Sequence, residues 1–111
     1  MLCTSEGRIL ADRVIVADTP EARFKGLLGF RAMPENTVLL LKPCDQVHMF
    51  FMRFAIGVLF LDENGVILDK QQLKPWQISR KVAGAKAVAE TSPELYGRVQ
   101  PGETVVVTLP A

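Results

Sequence analysis

Turn-forming residues cut this sequence into apolar runs too short to build long helices. Val38–Leu41 stops at Lys42-Pro43, and Ile56–Leu61 stops at Asp62-Glu63-Asn64-Gly65. Asn64-Gly65 between two apolar runs is a strong hairpin signal, because both residue types tolerate positive φ. Short apolar runs bounded by such punctuation suit strands joined by tight turns.

The remaining segments extend this pattern. Arg8 to Ala17 reads as a strand or hairpin, with Ile9 and Ala11 alternating before the β-branched run Val14-Ile15-Val16. Asp18-Thr19-Pro20-Glu21 opens a helix. Either Thr19 caps it with Pro20 at the first helical position, or Asp18 caps it with Glu21 closing a capping box. Phe24, Leu27 and Leu28 then form one apolar stripe, and Gly29 supplies a stop. Gly26 is costly inside so short a helix and implies close approach of a neighbour. Thr37 to Leu41, Val47 to Phe54, Ile56 to Leu61 and Val66 to Gln72 read as strands. Val47 to Phe54 is apolar on both faces, which predicts cover on both sides. Ser79 to Thr91 fits helix or strand. Ser92-Pro93-Glu94 opens one helical turn through Tyr96, and Thr104 to Leu109 is a closing strand.

The expected architecture is mainly β: a compact antiparallel sandwich or barrel of about seven short strands with one covering helix. The expected core includes Phe24, Leu27, Leu28, Val38, Leu40, Phe50, Met52, Val58, Phe60, Val88 and Val106. A chain of 111 residues corresponds to a single domain, residues 1–111. With 49% hydrophobic and 23% charged residues, it has the balance of a folded protein. A net charge of +1 gives no whole-molecule attraction to nucleic acid or membrane. Neither a membrane-spanning run nor a signal peptide is visible, so the expected location is cytoplasmic.

Three blocks of residues resemble the DUF192 family of small bacterial and archaeal domains. The first is Thr19-Pro20-Glu21-Ala22-Arg23 leading to Gly26-Leu27-Leu28. The second is Val47-His48-Met49-Phe50-Phe51-Met52-Arg53-Phe54, followed by Val58-Leu59-Phe60-Leu61-Asp62 and Gly65. The third is Ala87-Val88-Ala89-Glu90, with Val99 and Pro101-Gly102-Glu103-Thr104-Val105. Phe50-Phe51-Met52-Arg53 is the most specific of these. The resemblance implies a mainly β fold and supplies no reaction. This sequence departs from the pattern at Ala22 and near Gly57, where relatives often carry an acid, and at Gly102-Glu103, where Gly-Asp is usual. Many relatives also carry an export signal.

The residues able to carry chemistry are few. His48 is the lone histidine, a possible base or metal ligand, or simply a histidine satisfied by one backbone hydrogen bond. Cys44 and His48 are four residues apart, about 13 Å if extended, so a shared metal or a Cys–His pair requires a turn at Asp45-Gln46. A four-ligand zinc site would also have to recruit a carboxylate, so no metal or other cofactor is expected. The two cysteines, Cys3 and Cys44, are expected to be unpaired. Arg53, sharing a strand face with Val47, Met49 and Phe51, would reach solvent, pair with a carboxylate or face an anion at the rim of a concave surface. Arg23 has the same choice, with a surface ion pair as the plainer alternative. Lys70, Lys74, Arg80, Lys81 and Lys86 surround Trp76, yet no nucleic-acid motif accompanies them.

These features favour a non-catalytic binding or accessory domain over an enzyme. The expected partner is a protein segment or a small anionic ligand, held beside residues 47–54 and the helix by Arg53, His48, Arg23, Cys44 and Trp76. The alternative is a small enzyme or metal-binding protein that uses Cys44, His48 and Arg53.

Overall fold

Every residue of Ile56–Leu61 is buried. A run apolar on both faces has to be covered twice, and the fold supplies two layers for it. The computed structural model describes residues 1–108. Its elements are β1 (Leu2–Thr4), β2 (Ile9–Ala11), β3 (Arg13–Ala17), α1 (Pro20–Lys25), β4 (Thr37–Leu41), β5 (Ile56–Leu61), β6 (Ile67–Leu73), β7 (Ala87–Thr91), α2 (Pro93–Gly97) and β8 (Val105–Val107). The main sheet has the order β3-β4-β7-β5-β6, and a small sheet has the order β2-β1-β8.

The architecture is mainly β, as the punctuation implied, with two short helices. All pairings are antiparallel except β3 with β4, which run parallel from Arg13↔Thr37 to Ala17↔Leu41. Parallel neighbours need a crossover, and α1 with the loop after it provides this one. Alternation along β5 divides the core. Ile56, Val58 and Phe60 join Leu39, Leu41, Val88, Met49, Met52 and Leu27 in one layer. Leu59 and Leu61 face the other layer with Val38, Leu40, Leu2, Leu10, Leu95 and Val105. No helix among the described residues is long and apolar enough to cross a membrane.

Several sequence expectations need correction. Residues 47–54 do not form a strand. Their only ladder element is an isolated bridge, His48↔Ile78, after which the Met52 amide donates to the Met49 carbonyl at 3.2 Å and the chain turns. The turn breaks the face shared by 47, 49, 51 and 53: Val47 and Met49 are buried, whereas Phe51 and Arg53 are exposed. The helix stops at Lys25, because Gly26 at φ 45° ends it before Leu27. Phe24 therefore leaves the expected stripe and is 71% exposed, and Leu28 is only half-buried. Phe50 is half-buried, and Val106 lies on the exposed side of a three-residue strand. Arg8–Ala17 splits into β2 and β3, which belong to different sheets. Residues 79–91 resolve as a loop followed by β7. In the closing strand, Leu109 lies outside the described residues.

The hairpin between β5 and β6 forms where expected, by a different device. The Asp62 carboxylate accepts from the amides of Asn64 (2.8 Å) and Val66 (2.9 Å). Gly65 alone takes positive φ, at 83°, and the register shifts between Phe60 and Leu61. At Gly57 the packing leaves no room for a side chain. A methyl group there would lie 2.5 Å from Tyr96 Cβ and 2.8 Å from Thr91 Oγ1.

Candidate functional site

Thr19 caps α1 by accepting from the Ala22 amide at 3.1 Å, with Pro20 in the first turn. The capped turn directs Arg23 inward enough to be half-buried and leaves its guanidinium donating to the Lys42 carbonyl at 3.3 Å. Gly26 then brings the helix end down onto the main sheet. A methyl group on it would sit 3.7 Å from Glu90 Oε1 and 3.8 Å from Leu39 Cδ2. The close neighbour expected at Gly26 is not found: an added methyl group would meet only ordinary contacts, and what calls for glycine is the positive φ of 45° at which the helix ends.

The opposite wall is the segment from Pro43 to Met52, which runs beside residues 76–82. The Ser79 amide donates to the Val47 carbonyl (2.8 Å), and Ser79 Oγ accepts from the Val47 amide (3.0 Å). The Met49 amide donates to the Gln77 carbonyl, and the Trp76 amide to the Met49 carbonyl, both at 2.7 Å. Between this wall and α1 lies a cleft of about 350 Å³. Arg23, Cys44, His48 and Phe50 line it, with Leu27, Leu41, Val47 and Met52 as apolar walls and Glu90 at its base.

Glu90 occupies a strand flanked by β4 and β5, opposite Leu39 and Val58. It is only 6% exposed. Its carboxylate has no hydrogen bond or ion pair among the described residues. No fully sealed side-chain nitrogen or oxygen in the described residues lacks a partner, so the Glu90 oxygens keep a small opening, and Glu90 is one of the residues that line the cleft. Burial raises the Glu90 pKa from 4.5 to about 7. Sequence reasoning did not select this residue. The available signal was an acid placed among Ala87, Val88, Ala89 and Thr91, a signal that exists only if the segment is read as a strand covered on both faces.

Cys44 is a half-buried ionisable group beside Glu90. Burial raises its pKa, a backbone hydrogen bond with Gln46 works against this, and the nearby Glu90 charge raises it further. A thiol held protonated is a poor nucleophile. His48 is exposed, and its Nδ1 accepts from the Phe50 amide at 3.4 Å, the bland role available to a lone histidine. Among the described residues, no three of His, Cys, Asp and Glu converge to hold a metal ion.

From the cleft lining, a row of rings leads outward. His48 stacks on Phe50 with centroids 4.7 Å apart, Phe50 lies 6.0 Å from Trp76, and Trp76 lies 4.8 Å from Phe51. Phe51 and Trp76 are 69% and 59% exposed. Both have left-handed backbone, with φ 65° and 72°. Each is the third residue of a tight turn, Met49–Met52 and Lys74–Gln77, closed by amides 3.2 Å from their carbonyls. Glycine is the usual occupant of that position.

The cleft therefore gathers Arg23, Cys44 and His48 from the residues singled out in the sequence, with Trp76 outside it in the ring row, between Phe50 and Phe51. Arg53 is exposed and does not line the cleft. The basic cluster around Trp76 is partly committed elsewhere. Arg80 pairs with Asp69 at 3.3 Å and Lys81 with Asp45 at 3.6 Å. Lys70 donates to the Tyr96 carbonyl at 3.0 Å and lies over the Tyr96 ring.

Comparison with known proteins adds the following. The family model DUF192, described as "Uncharacterized ACR", matches residues 1–107. The chain is 34% identical over 92 residues to a UPF0127 protein of Thermococcus sibiricus, a match covering 78% of this chain and 59% of that protein. It is 35% identical over 95 residues to a UPF0127 protein of Pyrococcus furiosus, covering 81% and 80% of the two chains. A crystal structure of a protein of unknown function from Novosphingobium aromaticivorans superposes with a TM-score of 0.82 at 16% identity, over 96% of this chain and 83% of that one. At that identity the likeness concerns the fold.

Proposed function

This chain belongs to the DUF192 family, and from that premise we propose that it is a non-catalytic binding domain whose cleft and ring row take a protein segment. The carrying observation is the pair Phe51 and Trp76. Bulky residues in left-handed backbone cost roughly 1 kcal/mol or more each, and here that strain holds two aromatic side chains in solvent instead of in the core. Exposed aromatic rings in fixed positions supply apolar contact area at low entropic cost. The adjoining cleft is narrow enough to seat one side chain of the bound segment, while the rings cover its neighbours.

Of the two partner classes the sequence allowed, the segment fits this geometry better than a small anion. The base of the cleft is a carboxyl group, which would repel an anion there, and Arg53 is not in the cleft to attract one. The enzymatic alternative is weakened by the same geometry. Cys44 is held as a thiol, and His48 is an exposed residue in van der Waals stacking with Phe50.

Selection of peptides from a displayed random library against the immobilised protein tests the proposal. Enriched peptides should shift the backbone NMR signals of residues 23–28, 44–52 and 76, and lose affinity for Trp76→Ala by about tenfold or more. Peptides that perturb another face, or a library that yields none, would refute it.

A further inference from the structure

We infer that the base of the cleft is a receptor for the ammonium group of a lysine side chain in the bound segment, with Glu90 as its counter-ion. The inference deepens the peptide-binding reading and rests on it. A carboxylate more than nine-tenths buried and without a donor is a costly arrangement, and such groups are normally hydrogen-bonded or paired. Among the described residues no hydrogen bond or ion pair engages the Glu90 carboxylate, and Glu90 lines the cleft.

The other charges around the cleft do not take its place. Arg23 on α1 is engaged with the Lys42 carbonyl, and Lys25 is exposed at the helix end. From the opposite wall, Asp45 is paired with Lys81, and His48 turns its Nδ1 to the Phe50 amide. Cys44 donates to the Gln46 carbonyl. Lys25 and Glu90 are the charges without a partner among the described residues, and of the two only Glu90 is buried.

The walls match the stem of the same side chain. Leu27, Leu41, Val47 and Met52 line the passage, and a lysine carries four methylenes that bury well against apolar surface while the head stays polar. A volume of about 350 Å³ lies at the small end of ligand sites, room for one long side chain. Glu90 is only 6% exposed, and so small an opening favours a compact ammonium, which needs one oxygen, over the two-pronged approach of a guanidinium. Burial also leaves Glu90 easily protonated near neutral pH, so a cation arriving there would displace a proton.

The test uses the whole chain and three capped amino acids as probes: N-acetyl-lysine N-methylamide and its norleucine and arginine counterparts, titrated by NMR. The lysine probe should shift Gly26, Cys44 and Glu90 saturably, and bind about tenfold more tightly than norleucine, the difference expected of one charge-assisted hydrogen bond. Glu90→Gln should keep the fold, checked by its amide spectrum, and bind lysine and norleucine alike. Equal binding of lysine and norleucine to the native chain would overturn the ammonium site while leaving an apolar peptide cleft in place. So would a lysine preference that survives in Glu90→Gln. Tighter binding of arginine would overturn the choice of lysine. Absence of any saturable shift by the lysine probe, when library-selected peptides do bind, would overturn this inference alone.

Discussion

Phe51 and Trp76 meet with ring centroids 4.8 Å apart and planes tilted by 59°, from the tips of two separate turns, each in a backbone conformation that favours glycine. The turns are tied together by the Trp76 amide, which donates to the Met49 carbonyl. The ring pair and the strained backbone are therefore one unit: loss of Trp76 removes the ring neighbour of Phe51, and loss of Phe51 leaves Trp76 with Phe50 at 6.0 Å.

Phe51→Gly separates stability from binding. The change removes roughly 1–2 kcal/mol of backbone strain, but it forfeits an aromatic pair worth about 0.5–1.5 kcal/mol and adds about 0.5–1 kcal/mol of chain entropy. These terms nearly cancel. Urea denaturation should give a stability within about 1 kcal/mol of the native chain, where a packed core Phe would cost about 3–5 kcal/mol. Binding of library-selected peptides should fall by about tenfold. A loss of several kcal/mol would mean that Phe51 is needed by the fold.

Glu90 sets a pH dependence whose sign is opposite to that of a salt-bridged acid. Its pKa is 4.5 when unfolded and about 7 when folded. Between these values the folded state holds more protons than the unfolded state, so stability falls as pH rises. The fall begins near pH 4.5, ends near pH 7, and amounts to about 3 kcal/mol at 1.36 kcal/mol per pH unit. Glu90→Gln should flatten that part of the stability–pH profile and leave the variant at least as stable as the native chain at pH 8. A native profile that rises between pH 5 and 7 would show that Glu90 is paired as a carboxylate.

Cys44 should react slowly with iodoacetamide. Burial and the neighbouring Glu90 charge disfavour its thiolate, and alkylation proceeds through the thiolate. At pH 8 the native Cys44 should be modified more slowly than the same residue in urea-unfolded chain, followed by mass spectrometry of the peptide that contains it. Faster modification in the folded state would revive a nucleophilic role for Cys44 beside His48.

What could be read from the sequence depended on whether a residue's environment was local. Thr37–Leu41 and Ile56–Leu61 were legible to the residue because apolar composition and adjacent turn signals both act within the run. Residues 47–54 were not. Their apolar character is real, since Val47, Met49 and Met52 are buried, but the chain reaches that burial through a turn with Phe51 at positive φ, a conformation its residue type argues against. The exposure of Phe24 has a similar origin, because the apolar period passes through a glycine that ends the helix. In the cleft, Arg23, Cys44 and His48 were legible as reactive types. Glu90 was not, because its importance comes from β4, β5 and Gly26, which close around it only in the folded sheet.

Gly57 makes the most demanding prediction about packing. It lies in β5, buried, with α2 pressed against it: a methyl group would come within 2.5 Å of Tyr96 Cβ and 2.8 Å of Thr91 Oγ1. Tyr96 Cβ is attached directly to the helix backbone, so a rotamer change cannot move it away. Gly57→Ala must therefore displace α2 or bend β5, and overpacking of this kind costs about 1–3 kcal/mol. Displacing α2 would also disturb Leu95, which is buried in the second core layer, so the cost should lie at the upper end. The glycine's own backbone flexibility works in the other direction, since alanine suits a strand better by about 0.5–1 kcal/mol. The net expectation is a loss of about 2 kcal/mol. It should be accompanied by shifts of the α2 amide signals and little change around the cleft, because Leu59 and Leu61, not Ile56 and Val58, face the layer that α2 covers. An aspartate at this position would need more room than the methyl group that already collides. A stable Gly57→Ala with an unchanged α2 would mean that Tyr96 does not pack on β5 as described.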